Sequence, residues 1–192
     1  MKNQKGFSLI ELLIVVVIIG IIAAIAIPNL LAARRSANEG SAASSLRTVH
    51  GANATFQATT GNGNFADDSN DGTCADFAAD WASGGTFAPF GVLATNNLID
   101  GTLGTGGKSG YGFGYVSYCY ETGVNPASFA AAARPQQDSG ITMTGTRNFG
   151  ISTDGVLQTM VTNGGVEDIT LGGDAVLGAS LSGTGLAAMG NN

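Results

Sequence analysis

The feature that most constrains this chain is an apolar run near its N-terminus that contains a single charged side chain, Glu11. The run FSLIELLIVVVIIGIIAAIAI lies between Gly6 and Pro28, and a charge-free stretch extends over positions 12–33. At about 1.5 Å of rise per helical residue, this stretch is long enough to cross a ~30 Å hydrocarbon layer. A carboxylate at the centre of such a layer costs roughly 2.5–3.5 kcal/mol. The sequence therefore predicts a membrane helix whose acid has a partner.

Two simpler interpretations account for most of this run. A secretory signal peptide would use Lys2 and Lys5 as its basic start and Ala23–Ala26 as its small-residue cleavage point. It does not account for Glu11, or for a helical pattern that continues past the supposed cut. A single-pass membrane anchor explains everything except Glu11 and the residues just before it.

The residues around that acid carry a family resemblance. Positions 5–13 have the sequence KGFSLIELL, an apolar helix follows, and Pro28 lies near its end. Over positions 5–31 the chain resembles the type IV pilins, in which an inner-membrane peptidase cuts after a glycine and methylates the new N-terminus. The resemblance implies a cut between Gly6 and Phe7, and N-methylation of Phe7.

The same resemblance implies roles for residues inside the helix. The acid that these pilins use in assembly corresponds to Glu11, and their helix-weakening glycine and proline correspond to Gly20 and Pro28. After cleavage, the Phe7 amine is a cation one helical turn from Glu11, so the carboxylate of one copy can pair with the amine of the next. Removing one partner of a buried pair typically costs ~3–5 kcal/mol. We therefore predict that Glu11→Ala leaves the protein in the membrane but impairs filament growth.

Composition and patterning divide the chain into four segments. We predict a leader peptide over 1–6, a hydrophobic membrane or filament-core helix over 7–28, an amphipathic helix over 29–60 and a globular domain over 61–192. Apolar residues recur at three-to-four-residue spacing in the amphipathic helix and form one stripe, Leu46, Val49, Ala52 and Phe56. A kink or local unwinding is predicted at Pro28, because proline removes one backbone donor.

The predicted fold is α+β, with the long N-terminal helix packed on an antiparallel sheet of about four strands. Aromatic and β-branched residues predict these strands at 111–120, 128–134, 147–153 and 156–161. Asp154-Gly155 is a hairpin signal between the last two. A short helical turn is considered at Cys74–Trp81, within a long loop region. For the tail, 163–192, short strands and a flexible end are both left open.

The residues give no pattern typical of a catalytic or cofactor site, so we expect a protein that is not an enzyme. His50, the only histidine, is on the predicted helix, where an exposed or groove-lining position is favoured over metal ligation. From position 48 onward there are three basic and twelve acidic residues, a formal charge of −9. Such a surface disfavours direct nucleic-acid binding by an isolated subunit. The sequon Asn53-Ala54-Thr55 falls on the helix, and chance is the favoured explanation.

Cys74 and Cys119 are the only cysteines. If the membrane interpretation holds, both lie outside the cytoplasm, where a disulfide can persist. Such a bridge would close 46 residues and stabilise the domain by about 4 kcal/mol. The alternative is two unpaired buried thiols.

Asp67, Asp68 and Asp71 lie in a segment with enough oxygen ligands to hold calcium. The segment departs from the twelve-residue helix–loop–helix pattern, which would end in a glutamate, so a solvated turn is favoured. The calcium candidate matters because major pseudopilins of type II secretion systems have a calcium site in this kind of domain.

The resemblance implies a structural subunit of a type IV pilus, held in the inner membrane and polymerised into an extracellular helical filament for motility, adhesion or DNA uptake. The implied partners are the prepilin peptidase, the assembly machinery, the membrane and other copies of the chain. A major pseudopilin of a type II secretion system is the alternative with the same fold. A membrane-anchored binding domain that never polymerises is a third hypothesis, which leaves Glu11 unexplained.

Overall fold

The computed structural model describes residues 6–66, 77–78, 88–118, 127–161, 170–174, 178–182 and 187–188. The chain divides into two compact units, Met1–Arg34 and Arg35–Asn192. A single helix, α1 (Leu9–Thr59), contributes residues to both units. The described part of the first unit consists of the beginning of α1 and the three residues before it.

The large apolar side chains of the first unit are exposed. Every large apolar side chain from Phe7 to Leu30 is at least half exposed. By length and composition, α1 can cross a membrane. Gly20 and Pro28 lie inside α1, and the helix is continuous through both. No break in α1 occurs at Pro28 in the single chain, and the kink or local unwinding expected there stays a prediction.

A left-handed turn ends α1. The Gly61 N–H donates to the Phe56 carbonyl at 2.8 Å, and the next two residues, Asn62 and Gly63, have φ values of 49° and 93°. A Cβ at Gly61 would collide with the Asn64 carbonyl and lie 2.9 Å from the Phe56 ring. Glycine is thus required where the chain leaves the helix and turns back towards the domain.

The strands described in the second unit all pair antiparallel. These strands are β1 (Phe77–Ala78), β2 (Gly107–Lys108), β3 (Tyr111–Tyr118), β4 (Ser128–Pro135), β5 (Arg147–Ser152), β6 (Leu157–Val161), β7 (Thr170–Asp174), β8 (Gly178–Ser182) and β9 (Ala187–Ala188). The main sheet has the order β1-β3-β4-β5-β6-β9, with β2 also paired to β3, while β7 and β8 pair only with each other among the described strands. Two short helices, α2 (Ala88–Thr95) and α3 (Gly101–Gly104), lie between β1 and β2 in the chain. The predicted α+β fold is confirmed, and the four predicted strands are the centre of a wider sheet.

One face of the sheet carries large aromatic residues and packs on α1. Alternate residues of a strand point to the same face, and on β3 this face carries Tyr111, Phe113 and Tyr115, all fully buried. The Tyr115 ring stacks on Phe129 of β4, with ring centroids 5.7 Å apart. Against them lies the predicted stripe of α1, whose four residues are at most 6% exposed. The predicted stripe is confirmed, and Tyr111 and Tyr115 pack in the core.

The opposite face of the sheet is built from small residues. Ala130 and Ala132 of β4 are at most 1% exposed, although they alternate with residues that face α1. The β7–β8 hairpin covers this face, since it lies against β3, β4 and β5, with Cα atoms within 8 Å. Stacked sheets usually lie ~10 Å apart, so the small side chains allow a closer approach.

Four expectations outside the central strands have different outcomes. Phe77–Ala78, within the segment considered for a helical turn, pair antiparallel with Ser117 and Val116 and form a strand instead. The edge of β3 supplies hydrogen-bond partners there that an isolated helical turn would lack. In the tail, the described residues form short strands. The disulfide Cys74–Cys119 and the calcium candidate Asp67, Asp68 and Asp71 lie outside the described residues, and both stay predictions.

Candidate assembly site at the start of the long helix

The predicted cleavage site lies just outside the helix. Gly6, Phe7 and Ser8 are non-helical, and α1 begins at Leu9. Phe7 is 80% exposed. The bond between Gly6 and Phe7 therefore belongs to an exposed, non-helical segment that precedes the helix.

Glu11 has a hydrogen-bond partner within its own chain. The Ser8 backbone N–H donates to Oε2 of Glu11 at 2.9 Å, and the Leu12 N–H donates to the Ser8 carbonyl at 3.3 Å. The first bond is the glutamate half of a capping box, in which the third helical residue accepts from the backbone of the cap. A carboxylate in the first turn also interacts favourably with the helix dipole. Glu11 therefore stabilises the start of α1.

Sequence reasoning missed this local role, although a signal was present. Ser8-Leu9-Ile10-Glu11 fits the S/T-x-x-E pattern that marks a helix N-terminus. The local bond uses one carboxylate oxygen, and a carboxylate can accept several hydrogen bonds. Glu11 can therefore accept from a neighbouring amine while it keeps the Ser8 N–H.

The second unit holds the later part of α1 on the sheet through a buried amide. Oδ1 of Asn53 accepts from the Tyr115 hydroxyl at 2.7 Å and from the Ala66 N–H at 3.2 Å. Its Nδ2 donates to the Val49 carbonyl at 3.1 Å. Asn53 is fully buried. The nitrogen that would carry a glycan is thus enclosed in the core, which supports the interpretation of the sequon as chance.

His50 is partly exposed and contacts the β5–β6 hairpin. Its Nε2 lies 3.4 Å from the Thr153 carbonyl oxygen, and its ring centroid lies 5.8 Å from that of Phe129. A Cβ at Gly155 would lie 3.1 Å from the same nitrogen. The described residues contain no group of three or more potential metal-ligating side chains around it. The imidazole therefore contributes to the packing of the hairpin on α1.

The glycine-rich segment before β3 contains an ion pair. Lys108 Nζ lies 2.6 Å from Oδ2 of Asp100, and Oδ1 of Asp100 accepts from the Leu103 N–H at the start of α3. The hydrogen bond from Lys108, followed by the one from Leu103, lowers the pKa of Asp100. Lys108 therefore has a structural partner.

Comparisons with known proteins match the N-terminal part of the chain. Residues 1–27 match the family described as "Prokaryotic N-terminal methylation motif". The type IV wide pilus major component PilA4 of Thermus thermophilus is 69% identical over 39 residues, which cover 20% of this chain and 30% of that protein. The type IV major pilin protein PilA of Myxococcus xanthus is 46% identical over 54 residues, or 28% and 24% of the two chains.

A secretion-system protein matches over the same kind of length. The type II secretion system core protein G of Klebsiella pneumoniae is 36% identical over 52 residues, which cover 27% of this chain and 37% of that protein. These relatives are thus matched over less than two-fifths of their own lengths. No solved structure gives a significant match.

In this chain the methylation motif is followed by a long helix packed on an antiparallel sheet, as predicted from the sequence. The N-terminal part of the chain carries a prokaryotic N-terminal methylation motif and is similar to type IV major pilins, so the resemblance stated from the sequence is confirmed for that part. Its relatives include both pilus and secretion-system components.

Proposed function

We propose that this chain is the structural subunit of a type IV pilus. The observation that carries the proposal is the exposed apolar part of α1, with large side chains 50–82% exposed from Phe7 to Leu30. Such a surface requires lipid before assembly and a bundle of like helices afterwards, because water solvates it poorly. The match of residues 1–27 to the methylation motif supports the same conclusion.

In this proposal, the inner-membrane peptidase cuts between Gly6 and Phe7 and methylates the Phe7 amine. The mature chain stays in the inner membrane through α1 until the assembly machinery transfers it to an extracellular filament. Packing between like helices then replaces packing with lipid, so the transfer itself gains little apolar burial. Pairing of Glu11 with the Phe7 amine of a neighbouring copy therefore sets the register between subunits.

Local loosening of α1 belongs to the same proposal. Gly20 and Pro28 lie in a continuous helix in the single chain. Glycine lowers helix stability by roughly 1 kcal/mol relative to alanine, and proline by about 3 kcal/mol. Packing against neighbouring helices would unwind the segment between them at lower cost than elsewhere in the helix.

The capping contact allows a sharp test of the Glu11 role. Glu11→Gln keeps a neutral oxygen that can accept from the Ser8 N–H, whereas Glu11→Ala removes both the acceptor and the charge. We expect both variants to be processed and inserted in the membrane, and both to yield few sheared surface filaments. Normal filament yield from Glu11→Gln together with poor yield from Glu11→Ala would show that helix capping, and not charge pairing, is what assembly requires.

The proposed pilus function is tested by isolating surface filaments from the native organism. Fibres sheared from cells should contain this chain, and its N-terminal peptide should begin with methylated Phe7. The match to core protein G of a type II secretion system favours a second candidate function, a pseudopilin of a periplasmic secretion filament. Protein found only in the periplasm and membrane, with loss of protein secretion on gene deletion, would select that function instead.

A further inference from the structure

Polar side chains on α1 bind the loop between β4 and β5 within the second unit. Nδ2 of Asn38 donates to the Thr144 carbonyl at 3.0 Å. Oε1 of Glu39 accepts from both the N–H and the hydroxyl of Thr146, each at 2.8 Å. Oε2 of Glu39 lies 3.9 Å from Nε of Arg147. We call these five residues the polar clasp.

The loop side of the polar clasp is fixed independently of α1. The Thr144 hydroxyl donates to the Gly110 carbonyl at 2.7 Å, and the Thr144 N–H donates to the Gln137 carbonyl at 2.8 Å. The Gln136 N–H donates to the same Gly110 carbonyl at 2.9 Å. The loop therefore presents its donors to Glu39 in a fixed arrangement, so little ordering is needed when the helix binds.

The position of the polar clasp along the helix gives it a distinct role. Counting from Arg35, Asn38 and Glu39 carry the first described side-chain hydrogen bonds from α1 to another part of the second unit. Complete burial along α1 begins only at Ala42, and the stripe follows from Leu46. Gly40 lies between Glu39 and Ala42; it is exposed, and an added Cβ there would contact nothing within 4 Å. A position that weakens the helix thus lies directly beside the polar clasp.

Glu39 is well suited to hold this position. Its side chain is 17% exposed, so its hydrogen bonds are partly shielded from water. Hydrogen bonds to a charged acceptor are about twice as strong as neutral ones. Two of them, from adjacent groups of one threonine, fix both the position and the orientation of the helix at this residue.

We propose that the polar clasp is a stop that keeps α1 helical from Asn38 onward when the preceding part of the helix unwinds or repacks. The role rests on the proposed function, because that is where the preceding part of α1 changes its surroundings. The stop confines any unwinding to residues before the domain, so that the buried stripe stays on the sheet.

Amide hydrogen exchange of the mature full-length chain in detergent micelles tests the proposal. In Glu39→Ala, we expect amides of residues 36–43 to exchange about ten- to a hundred-fold faster than in wild type, since local opening no longer breaks those two bonds. Amides of residues 46–56 should be unchanged. Thr146→Val, which removes only the hydroxyl, should give a smaller increase at the same amides. Arg47→Ala, at an exposed charged residue of the same helix, should leave the profile unchanged.

Two results would overturn the proposal. One is an unchanged exchange rate over residues 36–43 in Glu39→Ala. The other is an equal increase over 36–56, which would mean that the variant destabilises the whole domain and that no local stop exists. Because the measurement uses unassembled protein, it is independent of whether the chain forms pili. Failure of the proposed function would leave these exchange rates unaffected.

Discussion

The buried amide of Asn53 is expected to be one of the most sensitive positions in the second unit. In Asn53→Ala, the Tyr115 hydroxyl and the Ala66 N–H lose their acceptor at positions that exclude water. Loss of the hydrogen-bond acceptor of a buried donor costs about 1–3 kcal/mol. We therefore expect the substitution to lower the free energy of unfolding by roughly 2–5 kcal/mol, a large part of the 5–15 kcal/mol of a typical domain.

The measurement is urea denaturation of a soluble fragment, Arg35–Asn192, followed by circular dichroism. Asn53→Ala should lower the midpoint without changing the slope, because the surface exposed on unfolding is nearly the same. Ser44→Ala is the matched control, since Ser44 is an exposed helical residue whose hydroxyl bonds only the Ser41 carbonyl among the contacts that the structure describes for it. Its effect should stay within about 0.5 kcal/mol.

A double-mutant cycle separates the lost hydrogen bond from other effects of the substitution. Tyr115→Phe removes the phenolic donor, so Asn53→Ala should cost about 1–2 kcal/mol less in that background than in wild type. If Asn53→Ala costs less than 1 kcal/mol alone, or the same in both backgrounds, the amide does not serve as the shared acceptor. The account of how α1 is fixed on the sheet would then be wrong.

Three further predictions concern glycines and titrating groups. Gly51→Ala should raise the free energy of unfolding by roughly 0.5–1 kcal/mol, because the added Cβ would meet nothing within 4 Å. Gly145→Ala should lower the free energy of unfolding by about 1–3 kcal/mol, because the added Cβ would collide with the Tyr111 hydroxyl. Urea denaturation measures both changes. Lys108→Ala should raise the Asp100 titration midpoint measured by NMR, because Lys108 lowers the pKa of Asp100. Since the pair is exposed, its stabilisation is below ~1 kcal/mol, is present above the carboxyl's unfolded-state pKa and is lost as pH falls through the folded-state value. Burial, and then the Glu39 carboxylate, raise the pKa of Tyr111. The stability that the folded Tyr111 phenol contributes is therefore full below about pH 10 and is lost above it, where only the unfolded phenol ionises. Tyr111→Phe should flatten this alkaline decline in stability, as measured by thermal denaturation.

The centre of the fold was predictable because each signal there was strong and local. The stripe of α1 repeats at helical spacing, and the β3 segment combines alternation with five aromatic or β-branched residues. Asp154-Gly155 marks the hairpin between β5 and β6, and Gly155 has a positive φ in the turn of that hairpin. These patterns depend only on residues that are close in the sequence, so the sequence alone is enough to recognise them.

Other parts of the fold depend on partners that are distant in sequence. Phe77–Ala78 form a strand because the edge of β3 is available, and no local pattern at those residues identifies that edge. The β7–β8 hairpin has a glycine-rich sequence that is equally compatible with a flexible end. Its partner is the small-residue face of β4, which becomes recognisable only when Ala130 and Ala132 are known to point away from α1.

The capping contact changes how the acid in the apolar helix is understood. Sequence reasoning treated Glu11 as a charge whose tolerance required another copy of the chain. The Ser8 N–H and the helix dipole already offset part of the cost within one chain. Under the proposed function, an unassembled subunit can therefore retain this acid at the end of its membrane helix. In that proposal, pairing with a neighbour serves to set the register and is not required for the acid to be tolerated in lipid. It follows that loss of the charge alone should affect filament growth much more than the amount of protein in the membrane, which is the distinction that Glu11→Gln measures.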